Sequence, residues 1–384
     1  MLQLQSKLPS QGVTIFSVMT ELAQRLNALN LSQGFPDFPA PPALLQALSE
    51  ATLSGYNQYP AGDGVLTLRE QLAKQFFARD QLQLDPLSEI TITPGATIAI
   101  FCAIQACIHA DDEVIIFDPS YDSYDPAVQL AGGKSVHIHL EAPTFQVNWQ
   151  EVKDSINAKT RMIIVNTPHN PTGAIWSELD WTQLIELIQD RNIVVLSDEV
   201  YEHLVFDGQK HHSALQFPEL RERSFVIGSF GKTYHVTGWK TGYCVAAPQL
   251  MRLFRQIYQF ANFCGTTPCQ IALANYMQQH PEHIQELPDF YQTKRDLFNQ
   301  QIQNSRFKLI PSQGTYFQNL DYSNLRPDLN DVEMCQFLAE KHKIVAIPIS
   351  VFYQHAPSSL RQIRFCFAKT DQTLKRASEI LVQC

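Results

Sequence analysis

The sequence has no run of about 18 apolar residues, the length a helix needs to cross a bilayer, so no membrane span is expected. It also lacks an excess of positive charge: 29 Lys and Arg stand against 38 Asp and Glu, a formal net charge of −9. A broad nucleic-acid surface is thereby excluded, because phosphate backbones are held by clustered cations. No GxGxxG follows any predicted strand, which removes the dinucleotide-binding fingerprint. The eight cysteines include no CxxC, the spacing of zinc and redox sites. Most stand in apolar runs such as IAIFCAIQACI, which suits reduced, buried thiols in a cytoplasmic protein. The opening residues, MLQLQSKLPSQG, have no charged head followed by an apolar core, so no signal peptide is expected. There is no repeat, low-complexity tract or long linker. His211 and His212 have no partner at a metal-site spacing and read as an exposed loop, so no metal site is expected.

What remains is an ordinary globular chain of 384 residues, 45% hydrophobic and 17% charged, long enough for two domains. Helical periodicity predicts helices over 13–29, 42–54 and 64–79, with the Pro- and Gly-rich LSQGFPDFPAPP (31–42) as an ordered loop. Short apolar runs then alternate with helical stretches. Strands are expected near 90–93, 113–117, 135–139, 162–166, 193–197, 224–228 and 242–246. Helices are expected at 97–109, 122–131, 178–190 and 250–260, with a long one within 266–302. Fully apolar strand centres suit a mainly parallel sheet covered on both faces, hence an α/β domain. After Pro311 strands near 315–320, 344–347 and 362–367 interleave with helices near 330–342 and 371–382, which reads as a smaller α+β domain joined by the N-terminal segment.

Four of the predicted strands run into loops rich in polar groups, and in open α/β folds that is where ligands bind. ITIT leads to PGATIAIF, a helix start whose free N–H groups suit a phosphate or mark a plain capped helix. IIF leads to DPSYDSYDP, where Tyr121 either covers the sheet edge or stacks on a planar ring. MIIV leads to NTPHNPTG, a rigid turn in which Pro171 restrains Asn170. IVVLS leads to DEVY, where Asp198 is either a helix N-cap or a carboxylate waiting for a buried cation. A fifth strand, SFVIG, leads to SFGKTYHVTGWKTG. Lys232 there is a solvated turn lysine, a point charge for phosphate, or an amine for a Schiff base.

Taken in order, LSQGFPDFP, NQYPAGDGVLTLREQL, NTPHNPTG, SDEVYEHLVF, SFGKTYHVTGWKTGY and RQIRFCFAK resemble the class I/II aminotransferases of the fold type I pyridoxal-phosphate enzymes. The likeness spans nearly the whole chain and is closest to the methionine and kynurenine aminotransferase branch. It implies an aspartate aminotransferase-like fold with a large, mainly parallel seven-stranded sheet domain over 45–285. A small α+β domain is implied over 1–44 plus 286–384. It also implies pyridoxal 5'-phosphate as cofactor, with Lys232 bonded to its aldehyde and Asp198 at the pyridine nitrogen. Asn170 and Tyr201 would bond the phenolic oxygen, and Tyr121 would stack on the ring. Ala96, Thr97, Ser229 and Lys240 would hold the phosphate, joined by Tyr59 from a neighbouring subunit, so a homodimer with shared sites is expected. Arg364 would clamp the substrate carboxylate near Asn170 and the Gly34 backbone. Phe16, and Phe263 of the second subunit, would line the side-chain pocket.

Many relatives carry arginine at the position of Lys240 and serine at that of Gly231; both exchanges are typical of the kynurenine branch. The implied reaction moves an amino group from an apolar, thioether or aromatic amino acid, methionine first, to a 2-oxo acid by ping-pong exchange. Lys232 is the implied general base and acid at Cα. A cysteine-conjugate β-lyase or a kynurenine/glutamine transaminase is the alternative on the same fold, and a non-catalytic ligand-sensing module is a further one.

Overall fold

The computed structural model describes residues 4–9 and 12–384. Residues 1–3, 10 and 11, which the leader and small-domain readings include, lie outside the described residues.

Seven strands form the main sheet: β1 (Ile90–Thr93), β2 (Glu113–Asp118), β3 (Lys134–His139), β4 (Thr160–Asn166), β5 (Val194–Asp198), β6 (Ser224–Ser229) and β7 (Gly242–Ala246). Their order is β1-β7-β6-β5-β4-β2-β3, and only β7 runs against its neighbours. Side chains alternate between faces along each strand. Ile115, Ile163, Val195, Val226 and Val245 therefore join one core, with the helices Leu66–Asp80, Glu178–Ile188 and Thr267–Gln279. Val114, Ile116, Ile164, Leu196 and Ile227 join another, under the helices Ala96–Cys107, Tyr124–Leu130 and Pro248–Ala261. Burial on both faces is why these strands read as continuous apolar runs.

A third core lies around a four-stranded antiparallel sheet made of Ile347–Pro348, Gln362–Cys366, Phe317–Asp321 and Lys308–Leu309. The helices Ile15–Leu26, His283–Ile302 and Asp371–Val382 pack on it. Leu29–Asn30 pairs in parallel with Ile344–Val345, which fastens the N-terminal segment to the C-terminal part.

Three expectations change. The long helix within 266–302 is two, Thr267–Gln279 and His283–Ile302, broken around Pro281. Proline cannot donate the N–H that would continue the first helix. The single strand at 344–347 is also two, because Ile344–Val345 pairs with Leu29–Asn30 while Ile347–Pro348 pairs with the strand of Arg364. The helix Trp149–Ser155, capped by Asn148, was not expected.

Candidate active site

The parallel strands all deliver their carboxyl ends to one edge, and the reversed β7 begins at that same edge. One cavity of about 160 Å³ collects the loops there. Its lining includes Ala96, Thr97, Tyr121, Asn170, Asp198, Tyr201, Ser229, Lys232 and Lys240, which are nine of the expected site residues. At one end the helix Ala96–Cys107 starts from Gly95 (φ +84°), which supplies no side-chain cap. Its first-turn N–H groups are thus without a side-chain acceptor. Lys240 lies against this start, its Nζ 3.3 Å from where a Cβ on Gly95 would stand. The start of β7 also passes close by: a Cβ on Gly242 would fall 2.8 Å from the Ala96 nitrogen, so only glycine fits.

Asp198 is the last residue of β5 and is 3% exposed. Its Oδ2 accepts from the Tyr124 hydroxyl at 2.6 Å and its Oδ1 from the Val200 N–H at 3.3 Å. The N–H bond is the short turn an Asp side chain makes with the backbone two residues on; no helix starts there, so Asp198 is not a helix N-cap. Among the described residues no cation pairs with it. Burial pushes its pKa up to about 6, against the Tyr124 bond, which holds it down. Lys232 follows β6 on a short helical turn, and its amine is likewise without an ion-pair partner among the described residues. It donates to the Gly34 carbonyl at 3.1 Å and to the Tyr316 hydroxyl at 2.8 Å. Burial first, and then the Arg364 and Lys240 charges, bring its pKa down to about 8. Asn166 ties the loop after β4 in place: its amide donates to the Asp198 carbonyl at 2.8 Å and its oxygen accepts from the Asn170 N–H at 2.8 Å.

Arg364 is 1% exposed, donates from Nη1 to Asn170 Oδ1 at 2.6 Å, and has a buried Nε without a partner among the described residues. Its guanidinium lies 3.9 Å from the centroid of Phe317, with Phe352 and Phe16 at 5.1 and 5.7 Å. These faces favour a cation, whereas burial draws its pKa down to about 10. Arg361, the sequence rival, instead serves loop carbonyls of Pro327, Ser358 and Leu360. Phe16 and Phe352 line an adjoining cavity of about 690 Å³ that shares Thr97 and Tyr121 with the first. Tyr59 and Phe263 do not reach either cavity. They pair edge to face at 5.5 Å on the surface, 83% and 37% exposed.

Sequence reasoning missed Tyr124, Asn166, Tyr316 and Phe317. Two tyrosines three apart in DPSYDSYDP were the available signal for Tyr124; nothing local marks Tyr316 or Phe317. The exposed-loop reading of His211 is corrected. Its side chain is 5% exposed and bonds Glu199 at 2.8 Å. Glu199, Glu202 and His211 stand close together. However, the two carboxylates are already engaged by Ser197, the Ala214 N–H, His211, Arg79 and Tyr243.

Comparison with known proteins matches residues 27–381 to the family model "Aminotransferase class I and II". The chain is 47% identical over 379 residues to the methionine aminotransferase of Escherichia coli, covering 99% of this chain and 98% of that protein. It is 35% identical to human kynurenine–oxoglutarate transaminase 3, covering 94% and 86%. A solved E. coli structure with an assigned methionine aminotransferase function superposes with a TM-score of 0.97, at 47% identity and 100% coverage of both chains. The fold is aspartate aminotransferase-like, a mostly parallel seven-stranded sheet flanked by helices. The chain belongs to the class I and II aminotransferases.

Proposed function

We propose that this aminotransferase uses pyridoxal 5'-phosphate and takes its amino group from apolar, thioether or aromatic amino acids, methionine first, passing it to a 2-oxo acid. The observation that carries the cofactor reading is a buried carboxylate and a half-buried amine lining one cavity with no counter-ion for either among the described residues. Such groups are costly to leave uncompensated. A ligand with a protonated aromatic nitrogen and an aldehyde satisfies both. The remaining donors fit the same ligand: the uncapped start of Ala96–Cys107, Ser229 and Lys240 suit a phosphate, and Tyr121 offers a ring face.

Bound there, the cofactor supplies a sink for the electron pair left when the bond from Cα to hydrogen breaks. Lys232 would hold it through its aldehyde, and its amine is the group placed to take the Cα proton as base and return it as acid. Its lowered pKa keeps part of it unprotonated near neutrality. Asp198 would keep the ring nitrogen protonated, and Tyr124 holds Asp198 in place. Asn170 and Tyr201, which line the same cavity, would bond the ring's phenolic oxygen. Arg364 binds the substrate carboxylate, with Asn170 and Phe317 fixing its plane.

The substrate assignment draws on the apolar cavity around Phe16 and Phe352, whose one charged lining residue among those described is Asp122. A second carboxylate would find no cation there. The 47% identity to the E. coli methionine aminotransferase supports the same choice. A homodimer with Tyr59 and Phe263 reaching the neighbouring site accounts for the exposed aromatic pair, beside Phe260 at 91% exposure. We place the enzyme in the cytoplasm, in keeping with eight free cysteines. A half-reaction screen tests the reading: each amino acid is added to purified holoenzyme while the cofactor absorption is followed. Methionine and aromatic donors should bleach the aldehyde band fastest. Fastest reaction with aspartate or glutamate, or reaction with none, would overturn it.

A further inference from the structure

We propose that Tyr316 is a positioning residue for the Lys232 amine, docking it against the 31–42 loop through the Gly34 carbonyl. The directions of three hydrogen bonds carry this. A carbonyl oxygen only accepts, so the Tyr316 hydroxyl, bonded to the Gly34 oxygen, commits its single proton there. It therefore meets Lys232 as an acceptor, and the amine donates at once to Tyr316 at 2.8 Å and to Gly34 at 3.1 Å. Amine, hydroxyl and carbonyl form a closed triangle. The tyrosine ring is held edge-on by Tyr201 at 5.1 Å and by Phe317 at 4.9 Å, so its oxygen is fixed. Gly34 packs closely against the same Phe317 ring, since a Cβ there would stand 2.8 Å from it.

Two acceptors on one amine favour its protonated form and set where its proton sits. The other charged or titratable groups facing it are Asp198 at the end of β5, Tyr201, Lys240, and Arg364 and Cys366 on the Gln362–Cys366 strand. None of these bonds the amine; among the described residues Tyr316 is the side chain that does. The inference rests on the reading of Lys232 as the amine that bonds the cofactor.

The test compares wild type, Tyr316→Phe and Tyr316→His, each freed of cofactor. The pH dependence of acylation of Lys232 by acetic anhydride is read by peptide mass spectrometry. Loss of an acceptor from a charged donor should lower the Tyr316→Phe midpoint by about one pH unit, and Tyr316→His, which keeps an acceptor, should recover about half of that shift. In the holoenzyme Tyr316→Phe should lower kcat about tenfold while KM for methionine moves less than about twofold. An unchanged midpoint in Tyr316→Phe, or equal shifts in both variants, overturns the assignment. A separate titration of wild type and Lys232→Ala with pyridoxal phosphate keeps the two readings apart. An aldehyde-bonded absorption band that persists in Lys232→Ala refutes the reading of Lys232 as the amine that bonds the cofactor. A band lost in Lys232→Ala together with an unmoved midpoint refutes only the role of Tyr316.

Discussion

Replacing Asp198 with asparagine should stabilise the cofactor-free protein while abolishing most of its activity. The carboxylate is 3% exposed and unpaired among the described residues, and its pKa rises from an ordinary 3.8 to about 6, chiefly because burial disfavours the charge. Between those values the folded protein binds more protons than the unfolded chain, so stability falls as pH rises and levels off above about pH 6. About two pKa units correspond to about 3 kcal/mol lost at pH 8 relative to a neutral side chain. Asparagine keeps an oxygen for the Tyr124 hydroxyl and removes the charge. For a chain of 384 residues, with unfolding entropy scaling with length, the gain is about 4 °C in melting temperature at pH 8. It should fade toward pH 4, where the aspartic acid is itself neutral. Differential scanning calorimetry of both cofactor-free proteins at pH 4 and 8 measures it. Turnover of holo Asp198→Asn should fall at least about a hundredfold, as the loss of a preorganised charge at the reacting system requires. A variant no more stable than wild type at pH 8, or equally stabilised at both pH values, would refute the reasoning.

Tyr124→Phe removes the hydroxyl that helps Asp198 stay ionised, so the pH at which acidification restores stability should rise by about one unit, read from melts between pH 5 and 8; an unmoved midpoint contradicts it. Arg364→Lys keeps the charge but loses the fork and the flat face that lies 3.9 Å from Phe317. Its kcat/KM for methionine should fall about a hundredfold or more, chiefly through KM. Arg79→Ala strands Glu202, whose carboxylate burial opposes but Arg79 holds at a pKa of about 2. Chemical denaturation should report a loss of about 3–5 kcal/mol.

The site was legible where chemistry sits in the loop just after an apolar strand. Asn170, Asp198, Ser229 and Lys232 each follow or end such a run, and the sheet itself brings their ends together. Strand direction was not legible, because β7 has the same apolar pattern as its parallel neighbours and only its pairing reveals its reversal. Partners distant in sequence were hidden for the same reason. Tyr316 reaches Lys232 from 84 residues away, and Phe317 meets Arg364 only because their strands pair antiparallel. His211 looked like loop because its anchor, Glu199, lies on a different segment. The short helix Trp149–Ser155 offers one buried residue, Val152, too little periodicity to detect.

The central claim is that one amine, Lys232, bonds the cofactor opposite Asp198. Borohydride reduction of the holoenzyme followed by peptide mapping tests it most directly. The account predicts a single pyridoxyl phosphate adduct on the peptide containing Lys232. An adduct on any other lysine, or none at all, would contradict it.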